Sequence, residues 1–453
     1  MTAERGTAPF HVERYDFDPT SGEIRLHYSF EGGERFAEQI VVPIPAVEAV
    51  VDQSALHAAL RILLLVAGTS YYKSSAPPEI VIDDPAGITS SEAKMLAALY
   101  DHGLREFAWR NGLDLPLVTS WKHAERPAER TAEPVGSPMV EAIDRPVVPF
   151  GGGKDSTVVL SMLAEATPVT INPTSMHRRL AEMMGHDLVS IARTVDRVDV
   201  LAGPDSFNGH VPVTAIVSAI AVVYALLWDR GDVVMANERA ASEPTLWTPD
   251  GEPVNHQYSK GAQFERLFRH ALADAGAGVR YFSLLRDLAE SDVIGLLAAR
   301  PDLIGHILSC NNAFRGLVDG GEEAPQLWCG RCPKCAFTFL MLAAVLSPEA
   351  LTSVFDVDML DQPELIDAFA KLWDTAKPFE CVGERGEAAA AMGALAADER
   401  WSAHVVVQAN AESARRELSH PVPPIGELGV TIPGAYVERR RAALSAARLG
   451  GRG

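Results

Sequence analysis

From Pro146 onward the chain alternates short apolar runs with helix-length stretches, and this rhythm restricts its fold more than any other feature. The runs are VVPF, VTIN, RVDVL and DVVMAN. Strands separated by helices pair most readily in parallel, and a parallel sheet needs both faces covered. Residues 146–346 are therefore expected to form an α/β domain, a parallel sheet with helices on both faces. Such sheets bind ligands beyond the carboxyl ends of their strands. Residues 1–125 read differently. EIRLHYSF and QIVVPIP alternate like strands, while SALHAALRILLLVAG and SEAKMLAALYDHGLREFAWRNG carry helical periodicity, which predicts an N-terminal α+β domain. Residues 126–145, rich in Pro, Glu and Arg, are predicted to be an exposed linker. Residues 347–453 are predicted to be a charged, helical C-terminal region with a frayed Gly/Arg-rich tail.

GGGKDS, Gly151 to Ser156, sits between the first apolar run and the helical segment STVVLSMLAEA. Gly151, Gly152 and Gly153 let backbone N–H groups approach an anion without Cβ obstruction, and a helix N-terminus adds partial positive charge. Lys154 offers an ammonium to phosphate oxygens and Asp155 a carboxylate to Mg²⁺. Ser156 offers a helix cap and a further donor. The string is neither a Walker A loop nor a GxGxxG fingerprint. It resembles the SGGxDS loop of the PP-loop ATP pyrophosphatases, adenine nucleotide α-hydrolase-like enzymes that cleave ATP between the α and β phosphates. Gly151 stands where that family usually has serine, so one hydroxyl donor is missing. A plain strand-to-helix turn is the alternative, but a turn needs only one glycine.

Four of the five cysteines, Cys310, Cys329, Cys332 and Cys335, fall within 26 positions, three of them as C-x2-C-x2-C. Four thiolates joined through tight Gly and Pro turns suit a closed structural Zn²⁺ site; an iron–sulfur cluster or free thiols are the alternatives. The pattern resembles the C…CGxCxxC zinc site of the deazapurine nitrile synthases, which are themselves PP-loop enzymes. The odd count argues against a secreted disulfide framework. A formal charge of −20 disfavours a nucleic-acid partner, because phosphate neutralisation drives that binding. Residues 211–228 carry no charge over 18 positions, yet a helix apolar on all sides also suits burial against a sheet, so no membrane partner is expected. The N-terminus lacks a signal pattern, and the expected location is the cytoplasm.

Further polar clusters follow: GTSYYKSSAPP, HGLREFAWRNG, FNGHVPVTA, ANERAAS, VNHQYSKG and KPFECVGE. Together with the two motifs, and from about Gly68 to Glu384, they resemble the UDP-N-acetyl-α-D-muramoyl-L-alanyl-L-glutamate epimerases, the MurL family of bacterial cell-wall enzymes. The resemblance implies conversion of the terminal L-glutamate of the UDP-muramoyl dipeptide to D-glutamate through an acyl-adenylate, with ATP going to AMP and diphosphate. It places the chain in peptidoglycan precursor synthesis, with ATP and Mg²⁺ as cofactors and a structural Zn²⁺. Alternatives are another PP-loop adenylating or amidating enzyme, deazapurine nitrile synthase-like, or a non-enzymatic zinc-stapled binding module. Removing an α-proton beside a carboxylate is hard because charge accumulates on a group already negative; an acyl-adenylate relieves this. Asn237 and Arg239 are candidate nucleotide contacts. Tyr71, Tyr72, Lys73, Arg105, Arg110, Tyr258 and Lys260 are candidate substrate contacts. Lys154 and Asp155 are the catalytic expectations at the loop, and Cys381, His210, His256 and Glu238 are candidate proton carriers. Glu380 and Glu384 flank Cys381 and should oppose ionisation of its thiol.

Overall fold

The computed structural model describes residues 4–46, 52–128, 143–310, 312, 327–374, 377–380, 382–418 and 431–450. Three N-terminal strands, β1 (Phe10–Asp18), β2 (Glu23–Phe30) and β3 (Arg35–Val41), form an antiparallel meander. Their pattern follows the period of two: Ile24, Leu26 and Tyr28 are buried on one face of β2, while Arg25 is exposed on the other. β4 (Glu79–Ile82) and β5 (Ser120–Lys122) add to the β1 side in parallel. The later strands are β6 (Val147–Pro149), β7 (Thr167–Ile171), β8 (Val189–Thr194) and β9 (Asp232–Met235). A two-stranded ribbon, β10 (Leu246–Trp247) and β11 (Pro253–Val254), precedes β12 (Arg280–Ser283).

The ten-stranded sheet runs β12-β9-β6-β7-β8-β3-β2-β1-β4-β5. Six of its nine pairings are parallel. The antiparallel pairing of β3 with β8, Gln39–Val41 against Ala192–Thr194, makes the N-terminal strands continuous with the parallel ones. RVDVL, expected as a strand run, is instead a helical turn at Val198–Leu201, and VSIART forms the strand. Burial explains the difference: Ile191 is fully buried within the sheet, whereas Val198 is 58% exposed.

Both faces of the parallel region are covered, as the alternation of its residues shows. Val147, Val233, Met235 and Tyr281 enter one core, and Val148, Val234 and Phe282 enter the other. The first core is closed by α1 (Gln53–Ala67), α2 (Ser90–His102), α3 (Arg105–Asn111), α6 (Val213–Leu227) and α7 (Ala262–Asp274). The second is closed by α4 (Lys154–Met162), α5 (Ser175–Met183), α8 (Glu290–Ala298) and α9 (Pro333–Ala343). The C-terminal helices Pro348–Phe355, Arg385–Leu395 and Val405–Leu418 join this second core, and Gly434–Gly450 docks on it through Tyr436, whose hydroxyl donates to Asp232 Oδ2 at 2.6 Å.

The apolar segment from residue 211 is a buried helix, α6, packed against α1. Among the described residues one helical run, Gln53–Tyr72, is long and apolar enough to cross a membrane by length and composition, and it is mostly buried inside the protein. Local signals fix the helix starts. Asp52 accepts from the amides of Ser54 and Ala55 at the head of α1, and Thr89 and Glu92 form a capping box on α2. Glu92 also receives buried Arg61 of α1 at 3.0 Å, which pairs the two helices.

Candidate active site

In the strand order β9-β6-β7-β8, the chain moves outward from β6 on one side and then restarts at β9 on the other. Open parallel sheets form a crevice at such a switch point, outside the carboxyl ends of the strands. A cavity of about 440 Å³ opens there, in the range that holds a small-molecule ligand. Phe150, Ile171 and Met235–Asn237, at the ends of β6, β7 and β9, line it together with the glycine loop.

The loop turns at Gly152, whose φ of +67° is in the left-handed region, and reaches extended backbone at Gly153 before α4 begins at Lys154. A Cβ on Gly152 would stand 2.9 Å from Leu308 Cδ1 and 3.3 Å from His177 Cδ2, whereas a Cβ on Gly151 would meet nothing within 4 Å. Among the described residues no side-chain hydrogen bond caps α4, whose first amides need partners from outside the helix; Lys154 N finds one in Ser309 Oγ at 3.2 Å. Ser156 lines the cavity but does not cap the helix: its hydroxyl donates to the Gly153 carbonyl at 3.2 Å, because helical backbone already claims the amide it would accept from.

Lys154 does not point at open space. Its ammonium lies 2.5 Å from Asp155 Oδ1 and 3.0 Å from Glu238 Oε2. Glu290 Oε1 is 2.7 Å away, an ion-pair distance without hydrogen-bond geometry. Three carboxylates thus surround one lysine, and burial resolves the excess charge. Burial and the neighbouring Glu238 charge push Glu290 well above the usual carboxylate range. Burial and Glu238 also raise Asp155. Glu238 is itself desolvated, but the Lys154 ammonium outweighs that and holds it at about 2. Asn237, on the same cavity wall, has a buried Nδ2 that finds no hydrogen-bond partner among the described residues.

A second cluster lies beyond Lys260, which lines the cavity and is close enough for its charge to act on Asp155, Glu238 and His210. Four of the polar segments converge here. Glu106 of α3 accepts from His256 Nδ1 and from Arg110 Nε, the latter at 2.7 Å. The His210 and His256 rings have centroids 4.5 Å apart, and the ligand atoms of Glu106, His210 and His256 all lie within 4.8 Å of one another. Asn111 Nδ2 donates to the Asn208 carbonyl at 2.9 Å and holds the His210 loop to α3. The Phe379 ring completes the group, 4.7 Å from the Arg110 guanidinium. Burial, then the His256 charge, hold His210 down to about 4, so its imidazole is neutral at neutral pH. Burial works against Glu106 ionising, but His256, His210 and Arg110 outweigh it and keep Glu106 below the usual range.

The remaining expected contacts are placed elsewhere. Tyr71 and Tyr72 are fully buried in the first core; the Tyr71 hydroxyl accepts from Asp196 N and the Tyr72 hydroxyl donates to the Pro77 carbonyl. Aromatic residues beside a polar string read as ligand contacts, but here they pack under β1–β3, and full burial leaves them no open face. Lys73 is half-buried beside them, and burial lowers its pKa. Arg105 is held by Asp101 at 3.0 Å and Glu252 at 2.9 Å, and Arg239 is paired with Glu384 rather than turned into the cavity. Tyr258 is buried against the His102 ring. Cys381 lies outside the described residues. Glu106 and Glu290 were not singled out by the sequence. Glu106 sits inside a flagged string between two arginines, whereas nothing around Glu290 distinguishes it from a surface acid.

The four clustered cysteines come together as their spacing suggests. Cys310 Sγ is 3.8 Å from Cys332 Sγ, and Cys329 Sγ is 3.8 Å from Cys335 Sγ, with all four within 4.8 Å of one another. A tetrahedron of thiolates about 2.3 Å from zinc has edges of about 3.8 Å, so the set fits that ion. Donors also fit thiolates: Cys335 N and Asn312 Nδ2 approach Cys332 Sγ and Cys329 Sγ at 3.4 and 3.6 Å, and Cys332 occupies the N-cap of α9.

Comparison with known proteins agrees over most of the chain. Residues 1–284 match the MurL N-terminal domain and residues 306–421 the MurL C-terminal domain. Three curated proteins are named UDP-N-acetyl-alpha-D-muramoyl-L-alanyl-L-glutamate epimerase. That of Micromonospora sp. is 39% identical over 420 residues, covering 88% of this chain and 89% of its own. Those of Salinispora tropica and Xanthomonas oryzae pv. oryzae are each 38% identical over 413 residues, covering 88% of this chain and 87% and 88% of their own. No solved structure matches the chain.

Proposed function

Since the chain belongs to the MurL family of epimerases, and is thereby an isomerase, we propose that it inverts the terminal glutamate of UDP-N-acetylmuramoyl-L-alanyl-L-glutamate from L to D. In this reading ATP pays for the inversion by adenylating the glutamate α-carboxylate, and AMP and diphosphate are released. The setting is peptidoglycan precursor synthesis in the cytoplasm. The observation that carries the proposal is a PP-loop-like glycine turn and helix N-terminus, suited to polyphosphate, on the same cavity as Lys260, whose charge acts on the nearby imidazole pair through His210.

The chain's own groups divide the work. The amides around Gly151–Ser156 hold the polyphosphate, with Asn237 supplying its unpaired donor. Asp155 and Glu238 are the carboxylates that would hold Mg²⁺, which when bound neutralises phosphate charge. Adenylation neutralises the carboxylate, so the α-proton becomes acidic enough for an imidazole to remove. His210, neutral near pH 7, and His256, oriented by Glu106, serve that proton transfer. The two rings do not oppose each other across the substrate, since groups acting on both faces of one carbon stand about 6 Å apart. With centroids 4.5 Å apart the pair works from one face, and the other face falls to Lys260. The four cysteines would hold a structural zinc.

Incubation with the L-dipeptide substrate, ATP and Mg²⁺ tests the proposal, followed by acid hydrolysis and chiral analysis. D-glutamate and AMP should appear in equal amounts; AMP without D-glutamate, or D-glutamate without ATP, would refute it.

A further inference from the structure

The cysteine knot and the glycine loop share a wall. Leu308 N donates to the Gly152 carbonyl at 2.6 Å, and Ser309 Oγ accepts from Lys154 N at 3.2 Å. Cys310 follows immediately, so the first thiolate is tethered two residues from the turn of the loop. The other three thiolates bracket Lys334, which lies in the first turn of α9, one residue before Cys335. Lys334 and Thr338, one helical turn apart, both line the cavity. The same four-cysteine knot therefore ties down one wall of the glycine loop and carries a lysine that lines the same cavity.

That lysine differs from the one in the loop. Lys154 is enclosed by Asp155, Glu238 and Glu290, which already exceed its charge. Lys334 makes no ion pair among the described residues and is half-buried at the cavity wall. A triphosphate entering the cavity brings several negative charges close to carboxylates, and it requires a cation that is not already neutralised. We propose that Lys334 is this cation, a direct ligand of the nucleotide polyphosphate, and that the tetracysteine knot serves binding by delivering it. The inference rests on the reading of the cavity as an ATP site, and it gives the knot a part in binding beyond folding.

Calorimetry on the full chain with Mg²⁺ and either ATP or AMP separates the two ideas. Lys334→Gln should weaken ATP about 10-fold or more, the scale of a charge-assisted phosphate contact, while AMP changes less than about twofold. Lys334→Arg should recover most of the ATP affinity, and thermal melting of both variants should match the parent. If the parent binds ATP and Lys334→Gln binds it equally, or loses ATP and AMP alike, Lys334 is not a polyphosphate ligand. If the parent itself binds no ATP, the nucleotide reading fails and this inference with it.

Discussion

Alanine at Gly152 should damage the protein, while alanine one residue earlier should not. At Gly152 the φ of +67° forces an L residue into the left-handed region, at about 1–2 kcal/mol. The new Cβ also meets Leu308 Cδ1 at 2.9 Å and His177 Cδ2 at 3.3 Å. Leu308 cannot simply withdraw, because its amide is bonded to the Gly152 carbonyl at 2.6 Å, so overpacking adds about 1–2 kcal/mol. The expected cost is about 2–4 kcal/mol, read as a lower urea midpoint at unchanged slope. At Gly151 the Cβ enters open space. Gly151→Ala should be neutral or slightly stabilising, by up to about 1 kcal/mol, through a less flexible unfolded chain. ATP affinity measured in parallel should fall for Gly152→Ala, because the displaced wall carries Ser309, and persist for Gly151→Ala. Equal urea midpoints and equal ATP affinities for the two variants would refute the account of the loop.

Three further outcomes follow from the same geometry. Glu106→Gln keeps the shape of the side chain but removes the charge that orients His256, so kcat should fall about 100-fold with KM little changed and partial recovery in Glu106→Asp; an equal rise in KM would make Glu106 a substrate contact instead. His177 and His210 are both held down to about 4, chiefly by burial. The unfolded chain then binds protons that the folded one does not, so their contribution is full above about pH 6.5 and is lost as pH falls to about 4, up to about 3 kcal/mol each. Between pH 7 and pH 5 the parent should lose more stability in urea unfolding than His177→Gln does; an equal change in both would contradict the assignment. Chelation of zinc, or Cys310→Ser, should lower the melting temperature and release about one metal per chain by elemental analysis, whereas a chain that purifies without metal and melts unchanged would make the cysteines free thiols.

The sequence reveals most where the chemistry is local. C-x2-C-x2-C brings three sulfurs within reach by spacing alone, and the three glycines before Lys154 mark the turn that the structure places at the switch point of the sheet. EIRLHYSF pairs as expected because every second residue is apolar. Long-range placement is harder to see. VSIART is a strand because β7 and β3 flank it, while RVDVL has no such neighbours and coils into a turn. Tyr71 and Tyr72 look like ligand contacts until the packing of β1–β3 above them is known. Glu290 reaches Lys154 from 136 positions away, and Glu106 reaches His256 from 150, so neither pairing leaves a mark in the local string.

Oxygen labelling of the substrate reports most directly on whether the glutamate carboxylate is adenylated. A dipeptide substrate carrying ¹⁸O in the α-carboxylate should transfer one labelled oxygen to the phosphate of AMP, because that oxygen attacks the α-phosphorus and leaves with it when water attacks the acyl carbon. Unlabelled AMP formed alongside D-glutamate would show that inversion proceeds without an acyl-adenylate, and the account would be contradicted.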